Sequence, residues 1–191
     1  GNTIYQGSNR YNIKGFSQQQ HKIEVRNDNF FVRGYVVSDN AGDSYDMVFT
    51  GVNINRAWKS DTQWFGEYIG TYATATIGGL TETQAHAAAR AQAESGRFLP
   101  GTPEFDAALN KSINDPNLLT GSKFQDKSKY YHSDANYNFS HLWDVVDVQV
   151  GGSYRQYSLN SGGTIYTDFD GPIDYSEFGV YTQLQKKFDL S

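Results

Sequence analysis

The chain of 191 residues contains no cysteine, one methionine and only 4 prolines. The missing cysteines exclude a disulfide framework and any thiolate metal site. Apolar runs are short and the mean hydropathy is -0.63, so no stretch approaches the roughly 18 residues of a membrane helix. Helical membrane proteins are thereby excluded. Basic residues are also few: the net charge of -5 argues against a nucleic-acid groove, which needs clustered Lys and Arg. From Gly1 to Asn12 there is no initiator Met, basic n-region or apolar h-region, so no secretory signal is read there and the start is expected to be internal.

What is abundant is aromatic and small. There are 14 Tyr, 12 Phe, 3 Trp and 19 Gly, too aromatic for a disordered chain. Tyr and Gly combined with period-two alternation point to strands with one apolar and one polar face. From Val145 to Tyr157, Val146, Val148, Val150, Gly152 and Tyr154 alternate with Asp147, Gln149, Gly151, Ser153 and Arg155. Phe178, Val180, Thr182 and Leu184 alternate in the same way with Gly179, Tyr181, Gln183 and Gln185. Shorter copies lie at Asn136–Ser140 and around Ile23 and Val25, and a further strand follows from Phe30. Five strands are expected, near 16–26, 30–38, 134–142, 145–159 and 176–188.

The connections alternate in length. Arg26 to Phe30 passes through Asn27, Asp28 and Asn29, a tight turn, whereas residues 39–133 form a connection of roughly ninety-five residues, far beyond the usual few. His141–Asp144 is short again and Asn160 to Ser176 long again. Outer-membrane barrels show this asymmetry because periplasmic turns are tight and external loops meet the environment. On that reading Arg26–Phe30 and His141–Asp144 face the periplasm. Five strands cannot close a barrel, for which about eight is the minimum, so neighbouring strands are expected. The fold class is mainly β: an antiparallel segment of a large transmembrane β-barrel, with a long external loop at 39–133 containing two short helices.

Those helices are read from their caps. Thr81 and Gln84 match a capping box opening a helix near 82–95, closed by Gly96. Thr102 as N-cap with Pro103 at the first helical position opens a second helix near 103–113. Trp58 to Ile77 fits either strand or packed loop, since Tyr68, Gly70, Tyr72 and Thr74 fall on alternate positions.

Chemistry-bearing patterns are sparse. Asp168, Asp170, Asp174 and Glu177 surround Gly171, but the spacing departs from an EF-hand loop, and solvated turn carboxylates are the better reading. His21, His86, His132 and His141 never fall at metal-ligand spacing. No metal or cofactor is expected. No nucleophile elbow, phosphate-binding glycine loop or acid and base pair is present, so an enzyme is not expected. Ligand contacts are expected instead on the long-connection side, at Trp58, Trp64 and Tyr68 and at Tyr166, Asp168 and Asp170, where aromatic faces lie beside hydrogen-bonding groups.

Two stretches carry a resemblance. Asp28, Phe30, Phe31, Val32, Arg33, Gly34 and Tyr35, continuing through Asn40, Ala41, Gly42, Asp43, Ser44 and Tyr45 to Trp58 and Lys59, resemble the barrel of TonB-dependent receptors of the Bacteroidetes lineage. So do Leu159–Thr167 and Glu177, Phe178, Gly179, Val180, Tyr181 and Gln183. The resemblance implies a bacterial outer-membrane location and a barrel of about 22 strands around an N-terminal plug, energised by the TonB complex. It implies active nutrient uptake, with the rest of the barrel and its plug, outer-membrane lipid, the TonB complex and a surface lipoprotein as partners. This sequence lacks the plug, the TonB-contacting segment and a terminal aromatic, ending Phe188, Asp189, Leu190, Ser191. The competing expectation is a soluble secreted β-rich module that binds carbohydrate or mediates adhesion.

Overall fold

The computed structural model describes residues 2–143 and 145–188. It contains two antiparallel sheets and four helices. The chain divides into two compact units: one holds Ile13–Gly42 and the chain from Phe124 onward, the other Thr3–Asn12 and Asp43–Lys123.

The first unit is a five-stranded sheet. Its strands are β3 (Ser17–Arg26), β4 (Phe30–Asn40), β6 (Lys129–Asn138), β7 (Asp147–Leu159) and β8 (Ile173–Gln185), in the order β3-β4-β6-β7-β8 and antiparallel throughout. The β3–β4 turn closes because the Asn27 side chain accepts from the backbone N–H groups of Asn29 and Phe30, each at 2.9 Å. Such an Asx arrangement substitutes for a backbone turn. Strand β6 lies several residues earlier than the expected 134–142, and β8 begins three residues before the expected 176. The missed portion of β6, Lys129–Ser133, is paired by its neighbours' backbone while its residues carry no apolar alternation; in β8 Ile173 and Tyr175 do alternate with Asp174, but they fall inside the stretch read as the long connection from Asn160 to Ser176. Of the short connection read at His141–Asp144, Asp144 lies outside the described residues, as do Gly1 and the terminal Asp189, Leu190 and Ser191.

Register makes the sheet two-faced, because successive side chains in a strand point to opposite sides. Along one face the paired positions run Glu24, Arg33, Asp134, Ser153, Gly179, and in the adjacent row Lys22, Tyr35, His132, Arg155, Glu177. These rows are cross-linked. Arg33 holds Asp134 through two parallel bonds of 2.6 and 2.7 Å, and Arg155 reaches Glu177 at 3.1 Å. The opposite face carries Ile23, Val25, Val32, Val148, Val150, Tyr154, Phe178, Val180 and Leu184. Nothing among the described residues covers it: Ile23 is 73%, Phe178 83% and Val180 82% exposed. No closed barrel is formed. Each edge strand, β3 and β8, has one neighbour.

The second unit corrects the expected content of the long connection. Where two helices are read from the sequence, there are four: α1 (Met47–Trp58), α2 (Asp61–Ile77), α3 (Glu82–Ala93) and α4 (Pro103–Asn114). A small sheet of β1 (Asn2–Gln6), β2 (Arg10–Lys14) and β5 (Tyr45–Asp46) was not expected either. Apart from Ile54 of α1, the buried positions of this unit are mostly small or polar: Ala85, Ala89 and Ala93 of α3, Thr50 and Asn53 of α1, Ser112 of α4, and Ser122. The polar ones are mutually satisfied, with Thr50 Oγ1 at 2.7 Å from Ser122 Oγ and Asn53 Nδ2 donating to the Gly121 carbonyl at 2.7 Å. Among the described residues no helix is long and apolar enough to cross a membrane, which says nothing about strands.

Candidate functional site

Helix α1 starts at Asp46, whose carboxylate accepts from the N–H groups of Val48 and Phe49, satisfying two of the donors that every helix start leaves open. The helix ends at Trp58, and only Lys59 and Ser60 separate it from α2. Ser60 then caps α2 by accepting from Gln63 N at 3.2 Å. This two-residue corner keeps Trp58 and Trp64 close in the chain, on successive helices.

Lys59 fixes the corner. Its Nζ donates to Glu67 Oε2 at 2.6 Å and to the Ala93 carbonyl at the end of α3 at 2.8 Å, with the side chain only 8% exposed. The ammonium thus serves a carboxylate on α2 and an orphan carbonyl on α3 at once, and a cation at a helix C-terminus is favoured by the helix dipole. The Lys59 bond, with a second from Gln63, lowers the Glu67 pKa below the ordinary glutamate range. The fully buried Ala85, Ala89 and Ala93, spaced by four on one face of α3, have no bulk to hold neighbouring backbones apart.

On this frame sits an aromatic ladder. Trp64 and Tyr68 stack with ring centres 5.2 Å apart and planes inclined by 15°. Tyr68 Oη is 2.7 Å from His86 Nδ1 of α3, and Tyr72 packs on the same imidazole at 4.5 Å. The Arg90 guanidinium lies 5.8 Å from the Trp64 ring centre and pairs with Glu94. Lys59 Nζ lies 4.6 Å from the Trp58 ring centre. Between these groups is a cleft of about 320 Å³ bounded by Trp58, Trp64, Asp61, Arg90, Glu94 and Arg97. Asp61 is held by Arg56 at 2.7 Å, which lowers its pKa. Half-exposed indoles beside paired charges can stack on a flat or ring-shaped ligand and hydrogen-bond its edges.

Of the residues singled out from the sequence, Trp58, Trp64 and Tyr68 are gathered here. Tyr166, Asp168 and Asp170 lie in the other unit, on the loop from β7 to β8, and the solvated carboxylates expected there need correction at Asp168. It is 4% exposed and serves as the closing anchor of its loop. Its two oxygens accept from Ser161 N, from Ser161 Oγ at 2.6 Å, from Gly162 N at 2.9 Å and from Gly163 N at 2.8 Å. Gly162 and Gly163 have φ of 58° and 84°, which lets successive N–H groups converge in the anion-holding curl called a nest. Burial works against ionisation of Asp168, but the bonds from Ser161 and the three amides outweigh it and hold the carboxyl well below the usual carboxylate range. Its acceptors are already occupied. Tyr166 is half-buried and Asp170 exposed.

Lys59, Glu67, His86, Arg90 and Arg97 are not read as site residues from the sequence. Ser60 followed three positions later by Gln63 is the same signature that marked α3, and Trp64, Tyr68 and Tyr72 recur every four residues, as one helix face requires. Among the described residues no three of His, Cys, Asp and Glu are grouped to hold a metal ion. In comparisons with known proteins, no family model, no curated protein and no solved structure matches this chain.

Proposed function

We propose that this chain is a segment of a β-barrel of the bacterial outer membrane, of the TonB-dependent receptor type, and that it serves nutrient uptake rather than catalysis. The observation that carries this reading is the five-stranded antiparallel sheet with an uncovered apolar face and an ion-paired polar one. In water such a face, with Ile23, Val25 and Val32 exposed at one side of the sheet and Tyr154, Phe178 and Val180 at the other, invites aggregation. Against lipid it is what a membrane-spanning strand presents outward, with the polar face turned to the lumen. The edges of β3 and β8 carry unpaired backbone groups that further barrel strands would satisfy.

On this reading the tight β3–β4 turn is periplasmic and the long connection containing α1–α4 is external. Ligand would be met there, at the cleft of Trp58 and Trp64. The barrel remainder with its plug, the TonB complex, a surface lipoprotein and outer-membrane lipid are the partners this reading requires. The test is nitroxide labelling at Val148 and Gln149 in lipid bilayers. Broadening by oxygen at position 148 and by a water-soluble relaxer at 149 is expected. The reverse pattern, or a chain that stays monomeric and soluble without detergent, sinks the proposal in favour of a secreted carbohydrate-binding or adhesion module.

A further inference from the structure

A second hollow lies in the helical unit, of about 310 Å³, lined by Met47, Ile54, Phe98, Phe105 and Leu109 among others. It shares two lining residues, Asn55 and Arg97, with the cleft of Trp58 and Trp64. The two hollows therefore adjoin along α1, an aromatic and charged half meeting an aliphatic half. Their charges are unevenly matched. Arg56 pairs with Asp61, Lys59 with Glu67 and Arg90 with Glu94. Arg97 has no ion-pair or hydrogen-bond partner for its guanidinium among the described residues, and the Asn55 side-chain amide has none either.

We infer that this double groove binds an extended peptide segment in which an acidic side chain is followed by a large apolar one. The acidic group pairs with Arg97, for which a bidentate carboxylate is the matched partner. The Asn55 amide, a donor and an acceptor on one rigid group, pairs with the peptide's own backbone amide. The apolar side chain fills the hollow between Ile54, Phe98, Phe105 and Leu109, and the residues before the acidic one lie over the indoles. A fatty acid would satisfy Arg97 and the hollow but leave Asn55 unmatched, and a saccharide would leave the aliphatic half unused. The inference stands on the helical unit alone, so it holds or fails separately from the membrane reading.

The test uses the full chain in a non-ionic detergent and fluorescence anisotropy with three probes. These are the labelled peptide Gly-Ser-Glu-Leu-Phe-Gly, the same peptide with Gln in place of Glu, and decanoate as a competitor. The Glu peptide is expected to bind about tenfold or more tightly than the Gln peptide, a factor worth about 1.4 kcal/mol. Arg97→Ala removes that difference, and Arg97→Glu transfers the preference to a peptide with Lys at that position. Asn55→Ala weakens the Glu and Gln peptides by the same factor. Equal affinity of the unaltered chain for the Glu and Gln peptides overturns the inference without any variant having to fold. Decanoate binding more tightly than the Glu peptide also overturns it, assigning the groove to a single-chain amphiphile.

Discussion

The Tyr181 ring lies flat across the sheet over Gly151, and its hydroxyl accepts a bond from Asn136 Nδ2 at 2.8 Å on the strand beyond. The three occupy one register row, Asn136, Gly151, Tyr181. A Cβ at position 151 would stand 2.5 Å from the Tyr181 hydroxyl oxygen, so the absence of a side chain is what lets β8 reach β6. Gly151→Leu is expected to expel the ring and destabilise the sheet by about 1–3 kcal/mol, as overpacking does. Tyr181→Phe, which removes only the hydrogen bond, should cost about 1 kcal/mol. Urea unfolding of the two variants in the same detergent compares them, and equal losses would show that the ring does not depend on the space at Gly151.

On the membrane reading proposed above, Val148→Arg is expected to hinder assembly into bilayers far more than Gln149→Arg. A charge on the lipid face near the midplane costs about 2–4 kcal/mol, whereas a lumen position tolerates it. Folding yield into vesicles checks this, and identical yields would contradict the assignment of the faces.

Lys59→Ala is expected to loosen the α1–α2 corner by about 1–3 kcal/mol, because Glu67 and the Ala93 carbonyl both lose a buried partner. The intrinsic fluorescence of Trp58 and Trp64 should then change at lower denaturant than in the unaltered chain. Lys59→Arg, which keeps the charge but not the compact head, should recover only part of the loss.

The β7–β8 loop should be acid-labile in a definite direction. The folded pKa of Asp168 lies below its ordinary 3.8, so its contribution is present above that value. It is lost as pH falls from there through the folded value. Protease cleavage within residues 161–168 should therefore rise only at pH below about 4. Asp168→Asn, whose amide cannot accept four donors, should show the raised cleavage already at neutral pH. A variant as resistant as the original would remove Asp168 from the role of anchor.

On the receptor reading proposed above, Trp64→Ala, at one end of the aromatic ladder, is expected to abolish ligand capture while leaving barrel assembly intact. Unchanged uptake affinity would separate the ladder from the site and leave it a packing element of α2 and α3.

The strands of the large sheet were legible where they are apolar on one side and polar on the other, as in β7 and most of β8, because a period of two survives in any linear reading; β1, β2, β5 and the start of β6 lack that pattern and were not read. Val148 and Gln149 announce their opposite faces with no partner in view. Helices α3 and α4 were legible for a similar reason, since Thr81 with Gln84 and Thr102 with Pro103 act within a single turn. Helix α2 was obscured because its Tyr68 and Tyr72, four apart, also fall on alternate positions, and Gly66 and Gly70 each disfavour a helix by about 1 kcal/mol. Its existence rests on packing against α3, whose buried alanines lie beyond any local window.

The sequence by itself determined the two-sidedness of the large sheet, the tight turn at Asn27 and the starts of two helices, because these depend on neighbours within a few positions. Only the tertiary structure decided that Arg33 meets Asp134, 101 residues away, and that Asp168 is consumed by Ser161, Gly162 and Gly163. It also decided that Arg97 stands unpaired between two hollows. The reason is physical: whether a charge is solvated, paired or left free depends on which distant backbone brings it a partner, and that is settled by strand register and helix packing, not by the residues beside it.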